Sequence, residues 1–178
     1  MMLPMPASYA FDTSSKDKPE AFQQAARILL SRGFKLIDFD SLKPWGFYLS
    51  VDESQAKAFK DEFYGPDALP DLDFSLPLRP KFLGVAPGLR LSWQWHHRRS
   101  EIWRPIKGEF QVVLSKTDKE AQPRLVEQNQ IVNIPQGMRH RGIGTENWAL
   151  IAEIWRHTEP ANPSNEDDIV RVQDDFGR

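Results

Sequence analysis

The 178-residue sequence contains no cysteine. Disulfide bonds, iron–sulfur clusters and a thiol nucleophile are therefore excluded, although this absence does not by itself assign a compartment. Positive charge is not in excess either, since 23 lysines and arginines stand against 25 acidic residues, for a net charge of −2. Nucleic acids and anionic membranes are bound through broad cationic surfaces. Neither is expected as a partner.

Long hydrophobic runs are also missing. The opening MMLPMPASYAF has no lysine or arginine before Lys16 and no sustained apolar stretch, so it is interpreted as neither a secretory signal nor a membrane span. A soluble, cytoplasmic protein is the expectation. Hydrophobic residues make up 40% of the chain and aromatic residues 11%, which is enough for one core of ordinary size.

Helical periodicity is found in the first third of the chain. Apolar residues recur every three or four positions from Lys18 to Ser31, and Gly33 follows, which predicts one amphipathic helix over that span. A short strand or extended link is predicted over 34–39 and a second short helix over 54–63. Residues 64–80 hold four prolines and predict a long loop that wraps over the rest.

From Lys81 onward the pattern changes to short runs bounded by turn residues. Such runs are typical of a small antiparallel sandwich or barrel. They cover 82–86, 89–96, 101–106, 109–115, 131–134, 139–143 and 148–156. We therefore predict a β domain over 81–178 with a charged C-terminal tail. Residues 1–80 are predicted to be an N-terminal extension, a helix and a wrapping loop, within the same unit.

Four potential metal ligands occur in this β region. Gln94 and His96 lie two residues apart, so they share a face of a strand. Residues 97–100 suit a turn that returns Glu101 to the same space, and a Pro-Gln-Gly turn precedes His140. Two imidazoles, a carboxylate and an amide oxygen suit a divalent metal and leave a position open for water or substrate. An open position distinguishes a catalytic metal from a structural one.

The spacing of these residues is specific. The first cupin motif is reproduced, with glutamine in place of its first histidine, by Gly88, Gln94, His96, Glu101 and Gly108.

The second cupin motif is reproduced less completely, by Pro135-x-Gly137-x-x-His140. Asn129 stands where this motif has its leading glycine, and Gly144 stands where it has asparagine. The first departure is mild, because asparagine tolerates the left-handed backbone conformation that such a glycine often supplies. The second removes a side chain that the sequence does not replace.

Longer segments of the sequence indicate one family among the cupins. LSWQWHHRRSEIW resembles the LSLQ-x-H-H-x-R-x-E-x-W segment of type II mannose-6-phosphate isomerases, and IPQGMRHR resembles their IPAG-x-x-HR. KPWGFY is similar to their RPWG-x-Y, and EDDIVR through DDFGR is similar to their EDDI-x-R…D-x-YGR ending. The resemblance covers roughly 42–50 and 80–178. It implies an all-β fold, a double-stranded β-helix (the cupin, jelly-roll-like barrel), here with an N-terminal α-helical extension.

The resemblance also implies a metal-dependent isomerase that interconverts a phosphorylated aldose and ketose, such as mannose 6-phosphate and fructose 6-phosphate. The proton would move between C1 and C2 through an enediolate, whose charge a divalent ion stabilises. The implied metal ligands are Gln94, His96, Glu101 and His140. Zinc is the first candidate, with manganese, iron and nickel as alternatives. The expected small-molecule partner is a sugar phosphate.

Three basic residues of the matching motifs are assigned to substrate contact or proton transfer: Lys81, Arg99 and Arg141. A guanidinium binds phosphate in a bidentate manner, whereas a lysine acts as a point charge or, when partly buried, as a proton carrier. The general base stays open among Lys81, His97 and Glu153. Taken alone, His97 is interpreted as a structural, hydrogen-bonding residue, and His157 is interpreted in the same way.

Two tryptophans face away from the predicted ligands. If Gln94 and His96 point inward, Trp93 and Trp95 point outward, where large apolar side chains must be covered. The N-terminal helix, the proline-rich loop or a second copy of the chain is expected to do so, and a homodimer is predicted. The family match also predicts that the tail docks across the barrel.

Two other functions stay open. An iron-dependent cupin dioxygenase would use the same kind of site with a redox-active metal. A non-catalytic sugar-binding cupin is favoured by the altered residues Asn129 and Gly144. The glutamine ligand and the flanking basic residues favour the isomerase.

Overall fold

The computed structural model of the protein describes residues 9–178. The opening sequence was interpreted as neither a secretory signal nor a membrane span. Most of that segment, residues 1–8, lies outside the described residues. Among the helices of residues 9–178, none combines the length and the hydropathy needed to cross a bilayer.

Two helices lie in the N-terminal part of the chain. Helix α1 spans Lys18–Ser31, as predicted, with Pro19 in its first turn and Gly33 in the left-handed conformation (φ 81°) just past its end. A single 3₁₀ turn, Glu53–Gln55, leads into helix α2 at Ala56–Phe63. The second predicted helix is therefore present, although its first turn is of the tighter type.

Eleven strands of the described chain form two antiparallel sheets. The strands are β1 Leu36–Asp40, β2 Gly46–Val51, β3 Leu78–Val85, β4 Trp93–Trp95, β5 Arg99–Lys107, β6 Phe110–Ser115, β7 Arg124–Val126, β8 Val132–Ile134, β9 Arg139–Gly144, β10 Ala149–His157 and β11 Val170–Gln173. One sheet has the order β1-β2-β3-β10-β5-β8 and the other β11-β4-β9-β6-β7. The predicted cupin-type, jelly-roll-like β fold with a helical extension is confirmed, and within residues 9–178 it is an open two-sheet sandwich rather than a closed barrel.

The inner strands of the six-stranded sheet are buried on both faces, whereas its edge strand β1 is largely exposed. The side chains of the inner strands alternate, so that Phe82, Ile102 and Ile154 pack against the helices, while Leu83 and Trp103 face the second sheet. Each such large apolar side chain contributes roughly 1.5–3 kcal/mol when fully buried. The face toward the second sheet also carries polar groups at one end, and these form the site described below.

Some boundaries differ from the predictions. The proline-rich loop ends at residue 77, because β3 begins at Leu78 and contains Pro80. Pro80 is tolerated there because pairing of β2 with β3 stops at Lys81, so Pro80 has a neighbour on β10 only. The turn after β4 is also shorter than predicted, since Arg99 already belongs to β5.

Three strands were not predicted: β2, β7 and β11. Strand β2 is buried at all six positions and shows no alternation of apolar and polar residues. Strand β11 is short and mostly exposed, and it pairs with β4. Strand β7 is a three-residue partner of β6.

Asn129 has a left-handed backbone, with φ of 72°. Its N–H donates to the Pro105 carbonyl (2.7 Å), and Arg104 Nε donates to its carbonyl (3.0 Å). We expect Asn129→Gly to keep the free energy of unfolding within about 0.5 kcal/mol of the parent protein, and Asn129→Ala to lower it by about 1 kcal/mol. Urea denaturation measures both.

The control for this comparison is Asn133→Ala, at an exposed position on β8. It should cost less than Asn129→Ala. Equal losses in Asn129→Gly and Asn129→Ala would contradict the conformational explanation.

The other departure from the second cupin motif has a packing cause. A Cβ on Gly144 would lie 2.1 Å from the Ala86 carbonyl oxygen, and the Gly144 N–H donates to the Leu89 carbonyl at 2.7 Å. No asparagine fits at this position while the backbone at Ala86 stays where it is.

Candidate functional site

Three metal-ligating side chains converge between the two sheets. His96 follows β4, Glu101 lies on β5 and His140 lies on β9. Nε2 of His96 is 3.1 Å from one carboxylate oxygen of Glu101, and Nε2 of His140 is 3.4 Å from the other. All three residues are buried, and their ligand atoms lie within 4.8 Å of one another. One ion can therefore be reached by all three.

The two imidazoles are oriented for metal binding. Nδ1 of His96 is 2.6 Å from the Asp168 carbonyl oxygen, and Nδ1 of His140 is 2.9 Å from that of Met138. Donation to a carbonyl places the proton on Nδ1 and leaves the lone pair of Nε2 directed at Glu101. Burial lowers the pKa of His96, which favours the neutral, metal-binding form.

One buried atom shows that these residues fit a cation. Nε2 of His140 has no hydrogen-bond partner among the described residues. A buried acceptor without a partner is costly, and a divalent ion beside Glu101 would satisfy it. The donor set is thus consistent with a bound divalent metal.

Gln94 is the fourth predicted ligand. It lies directly opposite His140 in the β4–β9 pair and lines the same cavity as Glu101. The hydroxyl of Ser92 is 2.5 Å from Oε1 of Gln94. An amide oxygen has two lone pairs, so it can accept this bond and still serve as a ligand.

Arg99 is packed against the ligand cluster. Its Nε donates to Glu101 (2.8 Å), and its Nη2 lies 3.2 Å from Nε2 of His96. Its guanidinium carbon sits 3.5 Å from the centre of the Trp155 ring. Burial alone would raise the pKa of Glu101, but its contacts with His96, Arg99 and His140 outweigh burial and hold this pKa well below its usual range. Glu101 is thus an anion ready to bind a cation.

A cavity of about 350 Å³ opens beside these residues, a size suited to a small molecule. Its wall includes five cationic and four anionic side chains. The lining residues are Lys43, Trp45, Tyr48, Lys81, Leu83, Leu91, Ser92, Gln94, Arg99, Glu101, Trp103, Glu153, Trp155, Glu166, Asp167, Ile169, Arg171 and Arg178. The last five belong to the C-terminal tail, so the tail forms one wall.

Glu153 is a buried acid in this wall. Its two carboxylate oxygens accept the indole N–H groups of Trp103 (2.6 Å) and Trp155 (2.5 Å). Burial, followed by the charge of Glu101, raises the pKa of Glu153 to about 8. Lys81 lies opposite Glu153 in the β3–β10 pair.

Comparison with known proteins identifies the family. Residues 68–174 match the family model described as mannose-6-phosphate isomerase C-terminal. The chain belongs to this family. The resemblance inferred from the motifs is thereby confirmed.

The curated relatives of this chain are much longer than the chain itself. The chain is 29% identical over 136 residues to the xanthan biosynthesis protein XanB of Xanthomonas campestris pv. campestris, covering 76% of this chain and 23% of XanB. It is 31% identical over 137 residues to the alginate biosynthesis protein AlgA of Pseudomonas aeruginosa, with shares of 76% and 22%. Mannose-1-phosphate guanylyltransferase ManC of Salmonella typhimurium is 27% identical over 136 residues, with shares of 76% and 22%. The chain thus spans less than a quarter of each of these three relatives.

The solved structures that align with this chain share its fold but little of its sequence. Oxalate decarboxylase from Bacillus subtilis aligns with a TM-score of 0.54 at 16% identity, over 78% of this chain and 30% of the other. Vicilin from Corylus avellana aligns with a TM-score of 0.51 at 16% identity, over 77% and 33%. These likenesses support the cupin-type fold of the family member.

The structure does not bring Arg141 to the cavity. Its guanidinium contacts the Leu91 carbonyl (3.0 Å), Glu120 (2.6 Å) and Gln173 (2.6 Å), and it does not line the cavity wall. Adjacent residues of a strand point to opposite faces, so an inward His140 requires an outward Arg141. Lys81 and Arg99, by contrast, both lie in the wall. Substrate contact by Arg141 therefore stays a prediction without a supporting contact.

The three candidate bases are separated by the fold. Lys81 and Glu153 face the cavity, whereas His97 is exposed on the bend after β4. His157 is buried, and its Nδ1 accepts the Ser164 N–H at 3.0 Å, which agrees with its structural interpretation.

Trp93 is covered by an element that was not predicted. Its side chain is buried, and its indole N–H donates to the Asp118 carbonyl at 2.8 Å, in the segment between β6 and β7. Strand β11 lies alongside it. Trp95 is half-buried, with the Arg139 guanidinium 4.7 Å from its ring centre. The tryptophans therefore give no reason to expect a second copy, and the homodimer stays a prediction.

Several residues that line the cavity were not assigned a role from the sequence. Lys43, Tyr48, Arg171 and Arg178 all line the cavity. The signal was present, because each belongs to a segment that resembles the entry or ending motif of the family. Asp168 was also missed: its carboxylate accepts the N–H groups of residues 97 and 98 at 2.9 and 3.0 Å, and so fixes the bend beside His96.

Proposed function

We propose that this chain is a metal-dependent isomerase of sugar phosphates, with mannose 6-phosphate and fructose 6-phosphate as the first candidate pair. The observation that carries the proposal is the buried set of His96, Glu101 and His140, which adjoins a cavity lined by cationic side chains. Membership in the mannose-6-phosphate isomerase C-terminal family supports the same reaction.

The metal would be held by Gln94, His96, Glu101 and His140. When bound, a divalent ion supplies Lewis-acid stabilisation of the negative charge that develops on the substrate oxygens. The four ligands carry a net charge of −1, so the ion remains electrophilic. Zinc is the first candidate for this donor set, and manganese, iron and nickel also suit it.

Glu153 is the side chain best placed to carry the proton between C1 and C2. In the metal-free protein, burial first and Glu101 second raise the pKa of Glu153 to about 8, which brings its proton exchange within reach of neutral pH. The two indole N–H groups hold its carboxyl group in place. Lys81 is 2.5 Å from Glu166 and 4.2 Å from the centres of the Tyr48 and Trp155 rings. We therefore assign Lys81 the role of a fixed cation.

The test is turnover by purified, metal-loaded protein, followed by NMR detection of fructose 6-phosphate formed from mannose 6-phosphate. We expect turnover in the parent protein and a fall in kcat of about 10²–10⁴-fold in Glu153→Gln, with metal content unchanged. The control is Glu159→Gln, an exposed acid just past β10.

Two results would overturn the proposal. Binding of mannose 6-phosphate without any fructose 6-phosphate would favour the sugar-binding module. Consumption of dioxygen by the iron-loaded protein, with no isomerisation under zinc, would favour the dioxygenase.

A further inference from the structure

Strand β11 places a positively charged residue, Arg171, in the cavity wall beside a predicted metal ligand. In the β11–β4 pair, Arg171 lies directly opposite Gln94. Cross-strand partners share a face of the sheet. Arg171 therefore points to the same side as Gln94 and lines the cavity, as that residue does.

The cations of the cavity differ in how they are paired. Lys81 is 2.5 Å from Glu166, Arg99 is 2.8 Å from Glu101, and Arg178 is 2.9 Å from Asp174. The other two cations of the wall have no carboxylate partner this close among the described residues.

Arg171 and Lys43 are those two. Arg171 forms no side-chain hydrogen bond or ion pair with residues 9–178. Lys43 lies 3.5 Å from Asp40, and both side chains of that pair are about one-third exposed, so the pair is weak. Asp167 and Glu166 share this part of the wall. Weakly compensated cations in a concave, partly enclosed wall attract an anion.

The metal ligands and the two weakly paired cations lie at different depths in the cavity. The metal-ligand set is buried at the floor, with Glu101 only 2% exposed, whereas Arg171 and Lys43 are accessible to solvent at the rim. A hexose 6-phosphate has the same polarity, since its reacting carbons, C1 and C2, lie at the opposite end from its phosphate.

We propose that Arg171, together with Lys43 of the same cavity, binds the phosphate of a sugar phosphate whose carbonyl end points toward the metal ligands. This inference rests on the proposed function for the orientation of the substrate. A guanidinium binds phosphate through two parallel hydrogen bonds, and a lysine adds a point charge. The C-terminal tail is then a specificity element that selects phosphorylated sugars.

The experiment is calorimetric titration of the zinc-loaded protein with mannose 6-phosphate, mannose and inorganic phosphate. We expect Arg171→Gln and Lys43→Gln each to raise the Kd for mannose 6-phosphate by about tenfold or more. Metal content and any affinity for mannose should not change. The matched control is Arg124→Gln, an exposed arginine on β7 of the same sheet that is outside the cavity.

The outcomes separate this inference from the isomerase proposal, because binding is measured without turnover. Parent-like affinity for mannose 6-phosphate in both variants would overturn it, even in an active isomerase. Equal losses for mannose and mannose 6-phosphate would also overturn it, since the effect would not depend on phosphate. Selective loss for the phosphorylated sugar supports it whether or not the protein turns the sugar over.

Discussion

Replacing His140 with alanine is expected to remove nearly all bound metal from the protein. Its Nε2 is buried, directed at Glu101 and without a hydrogen-bond partner in residues 9–178, so we expect a bound cation to be its partner. We expect about one zinc ion per chain in the parent protein and less than about a tenth of that in His140→Ala after dialysis against a chelator. His96→Ala and Glu101→Gln should behave alike, and Gln94→Ala should lose less, because a neutral amide is the weakest ligand of the set. Elemental analysis by mass spectrometry measures the content.

The neighbouring His97 provides the control for the loss of an imidazole. It is adjacent to His96 but exposed on the bend, so His97→Ala should keep its zinc. Because metal binding stabilises the folded state by mass action, added zinc should raise the Tm of the parent and of His97→Ala, but not of His140→Ala. Unchanged zinc content in a folded His140→Ala would show that the ion is not held by this cluster.

The strands after Lys81 could be predicted where a short run is bounded by turn residues. Runs at 101–106 and 148–156 marked β5 and β10, which carry Glu101 and Glu153 at buried positions that line the cavity. Strand β2 was missed because it lies before this region and, being buried on both faces, shows no alternation of apolar and polar residues. Strand β11 is short and mostly exposed, and it was predicted only as part of a charged tail; in the structure it pairs with β4.

The candidate site, like the fold, could be predicted from the sequence only in part. The metal set depends on spacings within strands and turns, and those are visible in the sequence. Arg141 also could have been placed, because the alternation applied to Gln94 and His96 equally puts Arg141 opposite His140. Lys43 and Arg171 come from distant segments that only the sheet pairing brings to one cavity. The family motifs mark both segments, but no local pattern shows that the two segments meet at one cavity.

The second large effect concerns the dependence of stability on pH. In the metal-free protein the pKa of Glu153 is raised from 4.5 to about 8, by burial first and by Glu101 second. Between these two values the unfolded chain has released this proton while the folded chain still holds it. The contribution of Glu153 to stability is therefore fully present below about pH 4.5 and is lost as pH rises toward 8. The loss amounts to roughly 3–5 kcal/mol.

Glu153→Gln removes this titration and introduces a constant penalty, because its amide nitrogen must face one of the two indole N–H donors. We therefore expect the variant to be less stable than the parent at pH 5, and the difference to shift in favour of the variant by about 3–5 kcal/mol by pH 9. Urea denaturation of chelator-treated protein across this range measures the shift. Groups that titrate in both proteins cancel in the difference, and Glu159→Gln, at an exposed site, should show no such shift. A difference between variant and parent that stays constant from pH 5 to 9 would mean that the Glu153 carboxyl group ionises as it does in water.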